Sequence, residues 1–258
     1  MNIRILQLIE GARTARGLTV VIDVFRAFTM ACFFTGAGAK RIIPVGDLDL
    51  AYRLHREHPD FILAGERHGK ILPGFAYGNS PAHIENVDFT GKTVIQTTSA
   101  GTQGIANAAA ADEILTGSFV NAGATIRYIR SMQPREVSLV CMGHEAVRPT
   151  EEDTLYAEYV RNTLEDRPVN FPAVVRTLRE TSGRRFFDPA NFASEPPRDF
   201  ELSLDLDRFD FVLRAGPARD LGRGVVELRK IETEGGPPRG SSGFRRQRRR
   251  GMHPETGE

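Results

Sequence analysis

The hydrophobic residues of this 258-residue chain fall into short apolar runs that alternate with segments of helical periodicity. Several runs are almost continuously apolar, as is typical of strands covered on both faces of a sheet. The predicted strands span residues 4–9, 18–23, 41–45, 61–64, 93–98, 113–115 and 137–142. The predicted helices span residues 27–35, 48–58, 102–110, 122–132 and 151–164. This alternation predicts an α/β fold, layered α/β/α, with a largely parallel or mixed sheet whose strand order stays open.

The regular alternation of predicted strands and helices ends after residue 165. A further helix is predicted at 171–180, and a proline-rich connection then leads to two predicted strands at 209–213 and 225–231. Because no long linker separates these elements from the rest, we predict a single α/β domain at residues 1–234. Residues 235–258 are rich in Gly, Pro, Ser and Arg and have little to bury, which predicts a disordered Arg-rich tail. A solvated tail is the simpler interpretation, and contact with RNA or another anionic surface is the alternative.

Composition excludes several classes of protein. The formal net charge is +1, so no global field favours nucleic acid or a membrane, and the tail is the one place where nucleic acid stays an option. The two cysteines, Cys32 and Cys141, provide neither a disulfide framework nor a thiolate metal cluster. No apolar stretch approaches the roughly 20 residues that span a bilayer, and the N-terminal residues lack the apolar core of a signal peptide. We therefore expect a soluble, cytoplasmic protein, with homo-oligomerisation left open.

Carboxylates stand at the ends of several predicted strands, at the edge where open α/β sheets bind ligands. Asp23 ends one buried run, Glu66 follows another, and Glu152 and Asp153 open the helix at 151–164. Carboxylate oxygens are ligands that Mg²⁺ prefers, so these acids predict a magnesium site. Each acid also has a plain structural alternative as a helix cap, part of an ordinary turn, or a partner of the helix dipole.

Candidate phosphate-binding groups lie in the same turns. Arg26 stands just after Asp23, where it either grips a phosphate or pairs with that acid. Two turns rich in glycine and hydroxyl groups offer further donors to phosphoryl oxygens. The candidates in those turns are Asn79, Ser80, Thr97, Thr98, Gly101 and Thr102. Most helix caps bind nothing, but rich turns at five strand ends favour Mg²⁺ together with a phosphate ester.

Taken together and in this order, the turn motifs resemble those of the 2-phosphosulfolactate phosphatase family, named for a step in coenzyme M biosynthesis. The motifs are IDVFRA at 22–27, GE at 65–66, GF at 74–75, GNSP at 78–81, TT at 97–98, GT at 101–102 and ED at 152–153. The resemblance covers about residues 18–164 and implies a Mg²⁺-dependent phosphoric monoester hydrolase with an α/β fold. The chain departs from the family pattern at residues 76, 97–102 and 157–158. These departures lie near the predicted site and affect the identity of the substrate more than the type of reaction.

The hypothesis that follows assigns roles to the candidate residues. Asp23, Glu66 and Asp153 are assigned to Mg²⁺, and Glu152 is a further ligand or the general base. Arg26 and the two turns are assigned to the phosphoryl oxygens, so the predicted catalytic set is Asp23, Arg26 and Glu152. The attacking group is expected to be water, because no side chain is required as a covalent nucleophile.

The predicted reaction is hydrolysis of a small acidic phosphate monoester, 2-phosphosulfolactate, to sulfolactate and phosphate. Arg67, His68 and Lys70 are candidates for the other acidic groups of such a substrate, or they form a basic surface turn. Two alternatives stay open. One is a phosphatase for another phosphorylated hydroxy acid, and the other is a non-catalytic protein that binds a phosphorylated metabolite.

Overall fold

The apolar runs of the sequence become the strands of one sheet in a computed structural model, which describes residues 1–67 and 70–233. The predicted tail at 235–258 and His68 lie outside the described residues. The described strands are β1 (Asn2–Gln7), β2 (Leu18–Ile22), β3 (Arg41–Val45), β4 (Ile62–Arg67), β5 (Lys70–Ile71), β6 (Thr93–Thr97), β7 (Glu113–Gly117), β8 (Glu136–Cys141), β9 (Phe211–Pro217) and β10 (Val226–Glu232). Their order across the sheet is β1-β8-β2-β7-β9-β10-β3-β6-β4-β5.

Two parallel blocks of strands make up most of the sheet. One block is β1-β8-β2-β7, and the other is β3-β6-β4. The antiparallel hairpin of β9 and β10 joins them, and β5 pairs antiparallel with β4 at the edge. The predicted α/β class with a largely parallel or mixed sheet is therefore confirmed.

Helices lie on both faces of the sheet. In the described residues they are α1 (Leu8–Thr14), α2 (Ala27–Gly36), α3 (Leu48–Glu57), α4 (Gly101–Asn107), α5 (Ala122–Met132), α6 (Glu151–Leu164), α7 (Phe171–Glu180) and α8 (Pro197–Ser203). The alternation within β2 shows why both faces are covered: Val21 packs with residues of α1, α2 and α4, whereas Val20 and Ile22 pack with residues of α5 and α6. Successive side chains of a strand point to opposite faces, so a fully apolar strand needs a layer on each side. The predicted three-layer arrangement is confirmed.

The N-terminal segment differs from its prediction. The strand predicted at 4–9 ends at Gln7, because Leu8 adopts a left-handed φ of 61° and starts α1, a helix that the pattern did not predict. Gly11 and Ala12 of this helix are buried. A Cβ on Gly11 would lie 2.9 Å from Cβ of Leu6, so the short helix packs against β1 through a position without a side chain.

The C-terminal third contains one helix that the sequence did not indicate. Helix α7 has the predicted bounds, and the two final strands start one or two residues later than predicted. The proline-rich connection, by contrast, contains α8. Pro197 occupies the first position of that helix, where proline is tolerated because the missing N–H has no partner there anyway. Phe200 and Leu202 of α8 are buried and hold the segment against the domain.

None of the helices in residues 1–67 and 70–233 is long and apolar enough to cross a bilayer.

Candidate functional site

A cleft of about 790 Å³ opens where the carboxyl ends of the parallel strands meet. Its lining includes Asp23 after β2, Glu66 at the end of β4, Thr97 at the end of β6 and Gly143 after β8. These strands belong to both parallel blocks. The turns selected from the sequence therefore meet in one place, although the sequence did not indicate the order of the strands.

The sheet curls so that its two blocks face each other across the cleft. Four strands separate β2 from β6, a distance of about 24 Å in a flat sheet with strands about 4.8 Å apart. Yet the backbone N–H of Gly101, just after β6, donates to Oδ2 of Asp23 at 3.0 Å. The N–H of Ala27 donates to the other oxygen at 3.2 Å, so both blocks orient the same carboxylate.

Asp23 belongs to a buried group of three carboxylates, together with Glu152 and Asp153 at the start of α6. Burial raises the pKa of Asp23 to about 6, and the negative charge of Glu152 adds to the rise against the hydrogen bonds from Ala27 and Gly101. Burial, followed by the charges of Glu152 and Asp23, also raises the pKa of Asp153. The positive charge of Arg185 offsets only part of the rise in the pKa of Asp23. Oε2 of Glu152 is buried without a hydrogen-bond partner among the described residues.

Asp153 lies behind the cleft rather than in its lining. Its Oδ1 accepts the N–H of Val24 at 2.9 Å, and its Oδ2 accepts the N–H of Gly143 at 2.8 Å. The side chain thus ties the turn after β2 to the turn after β8. The structure gives it a bracing position between backbone turns, where the sequence suggested a metal ligand.

Arg26 is the centre of a buried ion-pair network that the sequence did not indicate. Its Nη1 donates to the carbonyl oxygen of Ser194 at 2.6 Å and to Asp199 at 2.8 Å. Its Nη2 donates to Glu66 at 2.8 Å and to Glu195 at 3.3 Å. The guanidinium is 2% exposed. Arg26 therefore lines the cleft with both terminal nitrogens already engaged, and it does not pair with Asp23 as the alternative interpretation suggested.

Glu66 lines the cleft beside Arg26. Burial raises its pKa, and the positive charge of Arg26 opposes that rise. The basic residues that follow Glu66 have different positions. Arg67 does not line the cleft and donates to Thr97 and to the carbonyl oxygen of Gly46, whereas Lys70 lines the cleft.

The two predicted phosphate turns are only partly in the cleft. Asn79, Thr97 and Thr98 line it, together with Ser99 and Ala100. The other predicted residues of these turns have structural contacts.

Ser80 is buried and donates to Asp199 at 2.7 Å. Thr102 is also buried, and its hydroxyl donates to the carbonyl oxygen of Thr98 at 3.0 Å. Gly101 uses its N–H on Asp23. The segment after Ser80 forms a single 3₁₀ turn, Pro81–His83.

The donor set of the cleft fits one hard divalent cation. Within the described residues no group of three or more His, Cys, Asp or Glu side chains has the arrangement of a metal cage. Mg²⁺ is commonly held by one or two carboxylates together with water and substrate phosphate, so a complete protein cage is not required. Asp23 and Glu152 both line the cleft, and their negative charges repel each other. Oε2 of Glu152 has no hydrogen-bond partner among the described residues. A cation between the two carboxylates would offset both charges.

Several lining residues come from a segment that the sequence analysis left without a role. Arg185, Asn191, Ser194 and Glu195 form one wall of the cleft. They lie in 3₁₀ turns and a connecting loop, and not at the end of a strand, where ligand residues of α/β sheets are expected. The run of polar and glycine residues before two phenylalanines at 182–187 is the only local signal, and it does not indicate a cleft.

Comparison with known proteins points to one family. The family model for 2-phosphosulpholactate phosphatase matches residues 3–183. A protein of Thermoplasma volcanium named "Probable 2-phosphosulfolactate phosphatase" is 30% identical over 195 residues, which is 76% of this chain and 87% of the relative. A protein of Symbiobacterium thermophilum with the same name is 35% identical over 200 residues, or 74% of this chain and 84% of the relative. One of Bacillus subtilis, again with that name, is 30% identical over 66% of this chain and 75% of its own length.

Proposed function

This chain belongs to the 2-phosphosulfolactate phosphatase family of phosphoric monoester hydrolases, and we propose that it hydrolyses 2-phosphosulfolactate to sulfolactate and phosphate with the help of Mg²⁺. Its place in metabolism would then be a step toward coenzyme M. The observation that carries the proposal is the pair Asp23 and Glu152, two repelling buried carboxylates that face one cleft with strongly polar walls.

Mg²⁺ bound in the cleft would neutralise charge on the ester and favour attack by water, the main obstacle in phosphate monoester hydrolysis. The N–H groups of Ala27 and Gly101 donate to the two carboxylate oxygens of Asp23 and so fix the orientation of this side chain. Glu152 accepts no hydrogen bond through Oε2 from the part of the chain that the structure describes, so this oxygen is available either to the ion or to the proton of the attacking water. Both uses require the ionised carboxylate.

The phosphoryl oxygens are proposed to meet the turn at residues 97–100, with Asn79 on the same cleft wall. The turn is fixed from behind, because Thr97 accepts from Arg67 at 2.6 Å and Thr98 accepts the N–H of Thr102 at 3.3 Å. Groups that are held in place before the reaction lower the barrier more than groups that must reorganise. The sulfonate and carboxylate would lie toward Lys70 and Arg148 at the exposed mouth.

The proposal is tested by phosphate release from 2-phosphosulfolactate and from a panel of phosphorylated hydroxy acids, each with Mg²⁺ and with EDTA. We expect metal-dependent release that is fastest for 2-phosphosulfolactate. Faster release from another ester would retain the mechanism and change the substrate. Binding of these esters without release from any of them would favour a non-catalytic binding protein and contradict the proposal.

A further inference from the structure

The lysine and arginine side chains that line the cleft differ in how many donors they have left. Within the described residues they are Arg26, Lys70, Arg148 and Arg185. Lys70 and Arg148 are exposed at the mouth. Arg26 is buried and its terminal nitrogens already donate to four oxygen atoms. An anion deep in the cleft therefore needs another partner.

Arg185 combines a half-buried position with a weakly engaged donor. Its Nη2 donates to the carbonyl oxygen of Phe25 at 3.1 Å, and its side chain is 30% exposed. Its Nη1 lies 3.5 Å from Oε1 of Glu195, too long for a strong charged hydrogen bond. Its Nε, like that of Arg26, is buried without a partner among the described residues, so Nη1 is the donor that distinguishes Arg185. The guanidinium carbon lies 5.1 Å from the centre of the Phe186 ring, which limits its movement.

The position of Arg185 relative to the carboxylates supports a role toward substrate. Arg185 lines the same cleft as Asp23 and Glu66, and its positive charge opposes the rise in the pKa of both acids. A phosphate bound near Asp23 would meet this guanidinium. Both Arg185 and Glu195 lie beyond residues 3–183, the part that matches the family model.

We propose that Arg185 binds the phosphoryl group of the substrate and that Glu195 competes with the phosphate for this guanidinium. The proposal rests on the proposed phosphatase function, and it moves to Arg185 the contact that the sequence assigned to Arg26. Phosphate and guanidinium form paired, charge-assisted hydrogen bonds. Such bonds are stronger than the 3.5 Å contact with Glu195, so the dianion displaces that carboxylate.

The competition makes the effect of Glu195 depend on Arg185. If Arg185 only braced the wall of the cleft, Glu195→Gln would change phosphate binding by the same factor in wild type and in an Arg185→Ala background, through the lost charge alone. If Arg185 binds phosphate, Glu195→Gln frees its Nη1 and removes a negative charge from the neighbourhood of the dianion. Binding of phosphate then becomes tighter, by a larger factor in wild type than in the Arg185→Ala background.

The test is calorimetric binding of inorganic phosphate to the full chain in Mg²⁺, together with KM and kcat for the ester. We expect Arg185→Ala to weaken phosphate binding about 10-fold to 100-fold and to raise KM in step. Arg185→Lys should give an intermediate loss, and Glu195→Gln should tighten binding about threefold or more in wild type and by a smaller factor in the Arg185→Ala background. Arg184→Ala is the matched control, since Arg184 is exposed and does not line the cleft, and its binding should stay within twofold of wild type.

Unchanged phosphate binding in Arg185→Ala would overturn the proposal, even if the wild-type enzyme hydrolyses the ester. Weaker binding in Glu195→Gln, or the same factor in both backgrounds, would also overturn it. If Arg185→Ala does not fold, Arg185→Lys and Glu195→Gln decide in the same way. Phosphate binding that depends on Arg185, without release from any ester, would contradict the proposed phosphatase function and leave the Arg185 site standing.

Discussion

Arg26 and Asp199 form a buried ion pair, with 2.8 Å between Nη1 and Oδ2 and with side chains that are 2% and 0% exposed. The pair joins the turn after β2 to helix α8, two segments that are 173 positions apart. Asp199 also accepts the hydroxyl of Ser80 and the N–H of Ala82. One carboxylate thus connects three separate segments beside the cleft.

Arg26→Ala should destabilise the protein strongly. Removing one partner of a buried pair leaves the other charge without compensation, which typically costs about 3–5 kcal/mol in the free energy of unfolding. Urea denaturation measures the loss. Arg198→Ala is the control, because Arg198 pairs with Glu85 at the surface and its side chain is 48% exposed, so its loss should stay below about 1 kcal/mol. Equal effects of the two substitutions would contradict the structural role of Arg26.

The stability of Asp23→Asn relative to wild type, both without metal, should increase as the pH rises from 4 to 8. Burial raises the pKa of Asp23 from 3.8 to about 6, so the folded state binds this proton more tightly than the unfolded chain does. The stability linked to that proton is present below about pH 4 and is lost as the pH rises through about 6. Between these limits the free energy of unfolding of the variant should rise relative to that of wild type by on the order of 2–3 kcal/mol. A cost that does not depend on pH adds to this change, because the Asn amide cannot accept the N–H groups of both Ala27 and Gly101.

The measurement is a series of urea titrations in EDTA from pH 4 to pH 8 on both proteins. The difference between the two plots of unfolding free energy against pH gives the contribution of Asp23, separated from that of other carboxylates that titrate in the same range. A difference that does not change with pH would show that Asp23 titrates near its ordinary value in the folded protein.

Glu152→Gln should weaken the binding of Mg²⁺. Loss of a residue that only supports a ligand already costs about 10-fold to 100-fold in metal affinity, and loss of a ligand should cost at least as much. Calorimetry with Mg²⁺, or the rise in melting temperature with added Mg²⁺, measures the change. Glu151→Gln is the matched control, since Glu151 is the exposed neighbour in the same first turn of α6. Mg²⁺ binding that survives Glu152→Gln while activity is lost would assign Glu152 to proton transfer instead.

Gly101→Ala should displace the Asp23 carboxylate. A Cβ at this position would lie 2.8 Å from Cζ of Phe28 and 3.1 Å from Oδ2 of Asp23, so one of these groups must move. Overpacking of this kind costs about 1–3 kcal/mol of stability, and a shift of the carboxylate should lower kcat by about tenfold or more. Gly216→Ala provides the comparison, because a Cβ there meets no atom within 4 Å and Gly216 does not line the cleft. Full activity in Gly101→Ala would contradict the importance of this contact.

Much of the fold could be predicted because its signals are local. Helices α5, α6 and α7 have the predicted bounds, and β3 matches as well, since periodicity and polar boundaries mark both ends of each segment. Helix α1 escaped prediction because it starts at a left-handed residue directly after a strand and shows no capping side chain. Helix α8 lies in a segment whose prolines indicated a connection, although proline is compatible with the first turn of a helix.

The candidate site could be predicted in part for a related reason. Ligand sites of α/β sheets lie at strand ends, and this rule selected Asp23, Glu66, Thr97 and Glu152, which line one cleft in the structure. The rule does not predict which hydrogen bonds and ion pairs form between individual side chains. It therefore missed that Glu66 engages Arg26, and it could not select Arg185, which reaches the cleft only through tertiary packing.

The account is tested most directly by the initial rate of phosphate release from 2-phosphosulfolactate in Mg²⁺, compared between wild type and Asp23→Asn. The variant should remain folded and should lose at least about 100-fold in kcat/KM, because its neutral side chain cannot hold the cation. A folded variant that keeps the full rate would contradict the claim that this cleft is where the phosphate ester is hydrolysed.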